Sequence, residues 1–279
     1  MYSYLLIVVL FIASLALVLG VWRWSDYRAD TAVFRRLLRR NSVQPALFDF
    51  NMVRDLPAPA RRYFGFAIRP GASLYSVAVV TMAGKFGIGD NKAPGYLDMT
   101  ARQVLALPEG FVWQMHARKR LLRLSGSDSD RWTRFWLMGL APVARYGGDR
   151  DHQRSAFGRY VAEAVFWTPA ALLPGPGIQW QAVDDATARV VVKHGDLEQA
   201  VDLRVDADGR PGQVSFQRWS NANPEKEYRW QPFGGYLAEF RDFEGFCLPT
   251  RIEAGNFFGT DDYFPFFMVD VLDVQFPHS

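Results

Sequence analysis

The chain has 279 residues, a formal net charge of only +3 and a single cysteine. The basic excess lies near the N-terminus and no basic stripe crosses the rest of the chain, so the composition excludes a typical nucleic-acid-binding protein. One thiol likewise excludes an intramolecular disulfide and any zinc or redox motif built on paired cysteines. About 240 residues remain beyond the N-terminal segment, which is enough for one domain with a sizeable core.

The N-terminal segment is apolar, and we predict a transmembrane anchor over residues 1–22. Residues 4–21 form a run of apolar and small side chains without a charge, long enough to cross the hydrocarbon core of a bilayer. Trp22 and Trp24 at its end are typical of the membrane–water interface. A cleaved signal peptide is the alternative, but no basic residue precedes the run and the small-residue cleavage patterns are poor.

Residues 23–56 are predicted to form a basic amphipathic juxtamembrane helix followed by a linker. Residues 23–40 contain six arginines and only two aspartates. Val33, Phe34, Leu37 and Leu38 alternate with the arginines at helical spacing. Such a helix can lie on an anionic lipid surface, or it can simply be a solvated charged helix. We predict a single-pass protein of the cell inner membrane, and the positive-inside rule places its domain in the cytoplasm.

Residues 57–279 are predicted to form a single antiparallel β domain. Apolar and charged residues alternate along the strand that contains Val201, Leu203 and Val205, which is typical of a sheet with one solvated face. Residues 206–211 carry a strong hairpin signal. Residues 131–144 fit either a strand or a helix. Ten or more strand-like segments without βαβ alternation predict a mainly β fold: a large curved antiparallel sheet preceded by one transmembrane helix.

A central helical insertion is predicted at about 150–174. Arg159, Glu163 and Trp167 are spaced four residues apart, so that their side chains form one row along the helix. Thr168 and Pro169 should end this helix, because a proline disfavours helical geometry in the residue before it. The same pair should start a second, short helix, with Thr168 as N-cap and Pro169 in the first turn.

Motifs for catalysis and metal binding are absent from the sequence, and we predict no cofactor and no metal. Residues 125–130 (SGSDSD) are interpreted as a turn, since they lack the ligand pattern of a calcium loop. His152 and His194 have no spaced partners and are interpreted as surface residues. Glu163 is a weak catalytic candidate as an acid or base, and the alternative is a structural ion pair with Arg159 or Arg218.

Aromatic residues are concentrated near the C-terminus, with sixteen Phe, Tyr and Trp residues between positions 216 and 276. Consecutive aromatics point to opposite faces of a strand, so both faces must be covered or one must face an apolar ligand. A helix laid across a curved sheet encloses a cavity of the kind that binds apolar molecules. The candidate ligand-binding residues are Trp113, Met115, Arg159, Tyr160, Glu163, Trp167, Arg218, Trp230 and Tyr236.

Two stretches resemble known families. Residues 236–249 (YLAEFRDFEGFCLP) resemble a hairpin of lipoprotein-carrier-like half-barrels, which are antiparallel sheets wrapped on helices around a hydrophobic cavity. Residues 159–173 (RYVAEAVFWTPAALL) are similar to a motif of a bacterial, membrane-anchored family of unknown function with the same order of elements, including a W-x-P helix and a G-x-x-x-P hairpin. The resemblance implies a half-barrel scaffold that binds or carries lipid, and a periplasmic domain.

The leading functional prediction is a non-catalytic, membrane-anchored protein that holds a lipid, an acyl chain or another apolar small molecule in a half-barrel cavity. Two alternatives stay open. One is a hydrolase that acts on a membrane-associated substrate through Glu163, and the other is a scaffold for a membrane protein partner. Membrane lipid is an expected partner and nucleic acid is not, whereas the side of the membrane stays open between cytoplasm and periplasm.

Overall fold

The computed structural model describes residues 2–41 and 44–277, and its strands join into one antiparallel sheet. The strands, in chain order, are β1 Val77–Phe86, β2 Leu97–Ala106, β3 Gly110–Lys119, β4 Leu122–Ser129, β5 Thr133–Leu137, β6 Ala141–Tyr146, β7 Ile178–Ala182, β8 Thr187–His194, β9 Leu197–Val205, β10 Pro211–Ser220, β11 Arg229–Phe243, β12 Phe246–Asn256 and β13 Phe264–Gln275. Within the described residues this 13-stranded, curved sheet confirms the predicted mainly β fold.

The order of strands across the sheet is β6-β5-β4-β3-β2-β1-β13-β12-β11-β10-β9-β8-β7. The chain therefore builds one half outward from β1 to the edge at β6, crosses the sheet, and builds the other half inward from β7 to β13. The ambiguous segment 131–144 supplies strands β5 and β6. Met138 and Gly139 both have positive φ angles, 52° and 73°, at the turn between them, which is the conformation that tight hairpins favour.

In the described part of the chain, three α-helices and two short 3-10 turns accompany the sheet. They are α1 Tyr2–Leu38, α2 Ala58–Ala67 and α3 Arg150–Trp167, with 3-10 turns at Phe50–Val53 and Pro169–Leu172. The break predicted at Thr168 lies where it was expected, since α3 ends at Trp167 and Pro169 starts the following turn. The side chain of Thr168 makes no capping hydrogen bond, however, and its buried hydroxyl has no hydrogen-bond partner among residues 2–41 and 44–277.

Helices α2 and α3 pack on one face of the sheet and form its main hydrophobic core. The carboxylate of Asp149 caps α3 by accepting a hydrogen bond of 2.7 Å from the backbone N–H of His152. Farther along, α3 approaches the sheet closely at Gly158, where a Cβ atom would lie only 2.6 Å from Oε1 of Gln199 and 3.3 Å from the ring of Phe216. This glycine therefore sets how deeply α3 lies in the curved sheet.

The opposite face of the sheet is covered by the second half of α1. Phe34 and Leu37 are buried there against valines of β1, β2 and β3, so these apolar side chains face the sheet and not a lipid surface. The helix passes through residue 22 without interruption, which joins the segments predicted as anchor and juxtamembrane helix into one rod. Its first half is long and apolar enough to cross a membrane, and there its side chains are exposed.

Charged side chains fix α1 to the sheet. The Asp26 carboxylate accepts hydrogen bonds from Nη1 of Arg134 at 2.9 Å, from both terminal nitrogens of Arg145 at 2.5 and 3.1 Å, and from Nε1 of Trp136 at 3.1 Å. One helical turn earlier, Nη1 of Arg23 donates to the carbonyl of Gly139 at 3.1 Å. The helix is thus bound to strands β5 and β6 near its midpoint, in addition to its apolar contacts farther along.

Candidate ligand-binding site

A cavity of about 180 Å³ lies between α3 and the curved sheet. A single water needs roughly 10–15 Å³ by the same measure, so the cavity has room for a chain or ring of many atoms. Its walls are mainly aromatic and aliphatic, and these wall residues are Phe86, Trp113, Phe135, Ala162, Phe166, Trp167, Val214, Phe216, Phe233, Ile252, Ala254, Phe266 and Phe267. We call it the apolar compartment.

A second cavity of about 160 Å³ adjoins the first. The two share five wall residues, which are Asp128, Thr133, Tyr146, Arg218 and Phe266. The remaining walls of the second cavity are mostly polar and are formed by His152, Ser155, Ala156, Ser220, Asn221, Ala222, Tyr228 and Asn256. We call it the polar compartment. Because the compartments share a wall, together they form one site with an apolar end and a polar end, a suitable arrangement for an amphipathic molecule.

Arg159 is the centre of a saturated ion-pair network in this site. Its Nε donates to Oε1 of Glu163 at 2.8 Å, its Nη1 donates to Oδ2 of Asp128 at 2.5 Å, and its Nη2 donates to Oε1 of Gln103 at 3.3 Å. Burial alone would lower the pKa of Arg159, but the two carboxylates outweigh it and the pKa is raised. The guanidinium is therefore held charged and fixed in place.

Glu163 is occupied on both oxygens. Oε1 accepts from Arg159, and Oε2 accepts from Nε2 of Gln103 at 2.5 Å. A general acid or base needs an oxygen that can reach a substrate, and neither oxygen is free of a protein partner. The contacts thus favour the structural interpretation of Glu163 over the catalytic one.

Arg218 differs from Arg159 in having no hydrogen-bond partner among the described residues. It makes no hydrogen bond and no ion pair with any residue in the described ranges 2–41 and 44–277, and its Nε is buried without an acceptor. Its guanidinium carbon lies 5.0 Å from the ring centroid of Phe233. Burial lowers the pKa of Arg218, and the nearby charge of Arg159 lowers it further, so that the opposing effect of the Asp128 and Glu163 carboxylates is outweighed. The site therefore contains one arginine that hydrogen-bonds to both carboxylates and one that hydrogen-bonds to neither.

Five of the nine residues predicted to bind ligand line the apolar compartment. They are Trp113, Arg159, Glu163, Trp167 and Arg218. Three of these lie on α3 at the predicted spacing of four residues, which places them side by side over the sheet. Trp167 is fully buried, so it closes the compartment as part of the core.

The other four predicted residues lie outside the cavity. Met115 is buried farther along β3 in the packed core, and Tyr160 is buried with its hydroxyl donating to the carbonyl of Pro108 at 3.2 Å. Trp230 and Tyr236 are 47% and 51% exposed. Their positions in β11 turn these two side chains toward solvent, whereas the neighbouring Leu237 and Gln231 are buried. High aromatic content alone did not reveal which face each ring occupies.

Two residues of the site were misread from the sequence. The segment 125–130, interpreted as a turn, belongs mostly to strand β4, which presents Asp128 to the cavity. His152, interpreted as a surface residue, is only 5% exposed, and its Nε2 lies 3.3 Å from Oγ1 of Thr133. Within the described residues no group of three or more His, Cys, Asp or Glu side chains is arranged to hold a metal ion.

The fold and the site define an open, curved antiparallel sheet with a helix that encloses an apolar cavity. The chain belongs to the family of unknown function DUF6544, which matches residues 46–269, and this confirms the expected membership of such a family. No curated protein matches the chain.

Two solved structures are similar to the chain at low sequence identity. One is a LolA superfamily protein from Nitrosomonas europaea, with 12% identity, a TM-score of 0.38, and coverage of 79% of this chain and 93% of that one. The other is a putative outer membrane lipoprotein-sorting protein domain from Vibrio parahaemolyticus, with 11% identity, a TM-score of 0.37, and coverage of 81% and 91%.

Proposed function

We propose that this protein is a membrane-anchored binding protein that holds the apolar part of a lipid or similar molecule beneath α3. The observation that carries the proposal is the apolar compartment, whose walls are mostly rings and aliphatic side chains although it lies inside a packed domain. Native cores rarely leave voids larger than a water molecule, so an unfilled space of about 180 Å³ is best explained as space for a ligand.

Cross-linking in a bilayer tests this proposal. The full chain is reconstituted in lipid nanodiscs with a trace of a diazirine-bearing fatty acid or its methyl ester, irradiated, and mapped by mass spectrometry. We expect cross-links to peptides of β5 and β13, which line the apolar compartment, in addition to cross-links to the first half of α1. Absence of cavity cross-links from both probes would contradict the proposal.

A cavity-filling variant sharpens the test. Ala254 lines the apolar compartment from β12, so Ala254→Phe should place a ring in the space and lower cavity cross-linking several-fold relative to that of α1. Ala238→Phe adds the same ring at an exposed position of the neighbouring strand β11 and should change nothing. Equal loss in both variants, or in neither, would show that the labelled peptides do not report on the cavity.

The anchor assignment rests on the first half of α1. Its apolar side chains are exposed although the second half of the same helix is packed on the sheet, as expected of a retained single span. We expect the full-length chain to stay in the membrane pellet after alkaline carbonate extraction with its intact mass. Val9→Arg with Ile12→Arg should release it, because each arginine costs about 3 kcal/mol at the centre of a span. A product shortened near residue 20 would instead identify a signal peptide.

A further inference from the structure

The two carboxylates of the site balance the charges of its two arginines, but their hydrogen bonds from arginine come from Arg159 alone. Asp128 accepts from Arg159 and from the hydroxyl of Thr133, both at 2.5 Å, and Glu163 accepts from Arg159 and Gln103. Both carboxylates thus already accept hydrogen bonds from neighbouring donors, and Arg218 donates a hydrogen bond to neither. The Nε–H of Arg218 is buried without an acceptor although the side chain as a whole is only partly buried. A buried donor without an acceptor is costly, and a partner from outside the chain would remove that cost.

The position of Arg218 defines what that partner must look like. Arg218 belongs to the wall shared by both compartments, so an anion bound to it occupies the junction between the apolar and the polar end. Ser220, Tyr228 and Asn256 line the polar side of that junction and offer hydroxyl and amide groups to the same ligand. The ring of Phe233 covers one flat face of the guanidinium, which leaves its N–H edges for binding.

We propose that Arg218 is an anion-binding subsite for the carboxylate or phosphate headgroup of an amphiphile whose chain occupies the apolar compartment. The planar fork of an arginine matches these two groups through paired hydrogen bonds, which a lysine ammonium cannot reproduce. This subsite rests on the proposed function and adds the ligand class: a single-chain acid or an anionic lipid.

The same nanodisc experiment, with the acid probe compared against its methyl ester, tests the subsite. Cavity cross-links are normalised to cross-links on α1, which report how much probe the bilayer holds. In the wild-type chain the acid should label the cavity about tenfold more than the ester, the size of one charge-assisted hydrogen bond. Arg218→Gln should reduce cavity labelling by the acid to the level of labelling by the ester. Arg218→Lys should keep part of the preference for the acid.

Arg189→Gln is the matched control. It removes an arginine that pairs with Asp202 and lines neither compartment, so the preference for the acid should persist. Equal labelling by acid and ester in the wild type, or an unchanged preference in Arg218→Gln, would overturn the subsite while leaving the apolar ligand intact. Failure of both probes to label the cavity would instead contradict the proposed function itself.

Competition with inorganic phosphate distinguishes a lipid headgroup from a free anion as the ligand of Arg218. Because the chain of the amphiphile contributes to its affinity, phosphate at low millimolar concentration should not displace the acid probe from the wild-type protein. Chloride at matched ionic strength controls for screening. Full displacement by phosphate would assign Arg218 to a free anion and overturn the amphiphile proposal.

Discussion

Arg159→Met should lower the free energy of unfolding by about 3–5 kcal/mol, the usual result of removing one member of a buried ion pair. The substitution keeps much of the side-chain volume but leaves the carboxylates of Asp128 and Glu163 without their main donor. Thermal unfolding of the full chain in nanodiscs, followed by tryptophan fluorescence, measures the effect. For a domain of this size the expected fall in Tm is on the order of 10 °C.

Two further variants identify the source of that loss. Glu163→Gln removes a single charge from the network and should cost less, about 2 kcal/mol, whereas Arg69→Met at an exposed ion pair should have little effect. Unchanged stability in Glu163→Gln would contradict the structural role of Glu163. It would also favour the alternative of a hydrolase in which this carboxyl group acts as acid or base.

Asp26→Asn should lower the free energy of unfolding by about 3 kcal/mol and loosen the contact between α1 and the sheet. The amide cannot balance the charges of Arg134 and Arg145, although it can still accept from Trp136. Loosening exposes the buried face of α1, so a protease should cut after Arg35 and Arg36 faster than in the wild type. Thermal unfolding and the rate of that cleavage are the two measurements.

The control for Asp26 is an exposed carboxylate in an ion pair. Glu198 pairs with Lys193 at 2.8 Å, and both side chains are more than half exposed, so Glu198→Gln should change neither Tm nor cleavage. If Asp26→Asn behaved in the same way, the docking of α1 would not depend on the Asp26 carboxylate, and its remaining contacts, such as those of Phe34, Leu37 and Arg23, would be sufficient.

The parts of the fold that depend on local rules were predictable from the sequence. Alternation along the strands predicted the sheet, and the proline rule placed the end of α3 at Thr168. The spacing of Arg159, Glu163 and Trp167 put these three on one side of the helix, so that half of the site could be named before its strands were known. Periodicity and backbone restrictions act within a few residues, and sequence patterns report them directly.

The other half of the site depends on contacts between distant strands. Gln103 lies in an apolar part of β2, and a polar residue there was the one available signal for a buried partner. Asp128 was hidden because a run of Ser, Gly and Asp is typical of turns, whereas here β3 and β5 pair with it on both sides. That Arg218 donates no hydrogen bond to a described residue can be seen only from the positions of its neighbours in the folded chain.

The joint between α1 and the sheet limits how far the cavity can move. In a helix of 37 residues, about 16 residues extend beyond a span of 22, or roughly 24 Å at 1.5 Å per residue, and this part is packed on the sheet along its length. If α1 spans the bilayer as proposed, the domain has no flexible tether and stays at one distance and one tilt above a single membrane. The proposed ligand would then exchange by diffusion within that membrane or by transfer to a second protein that comes to the site.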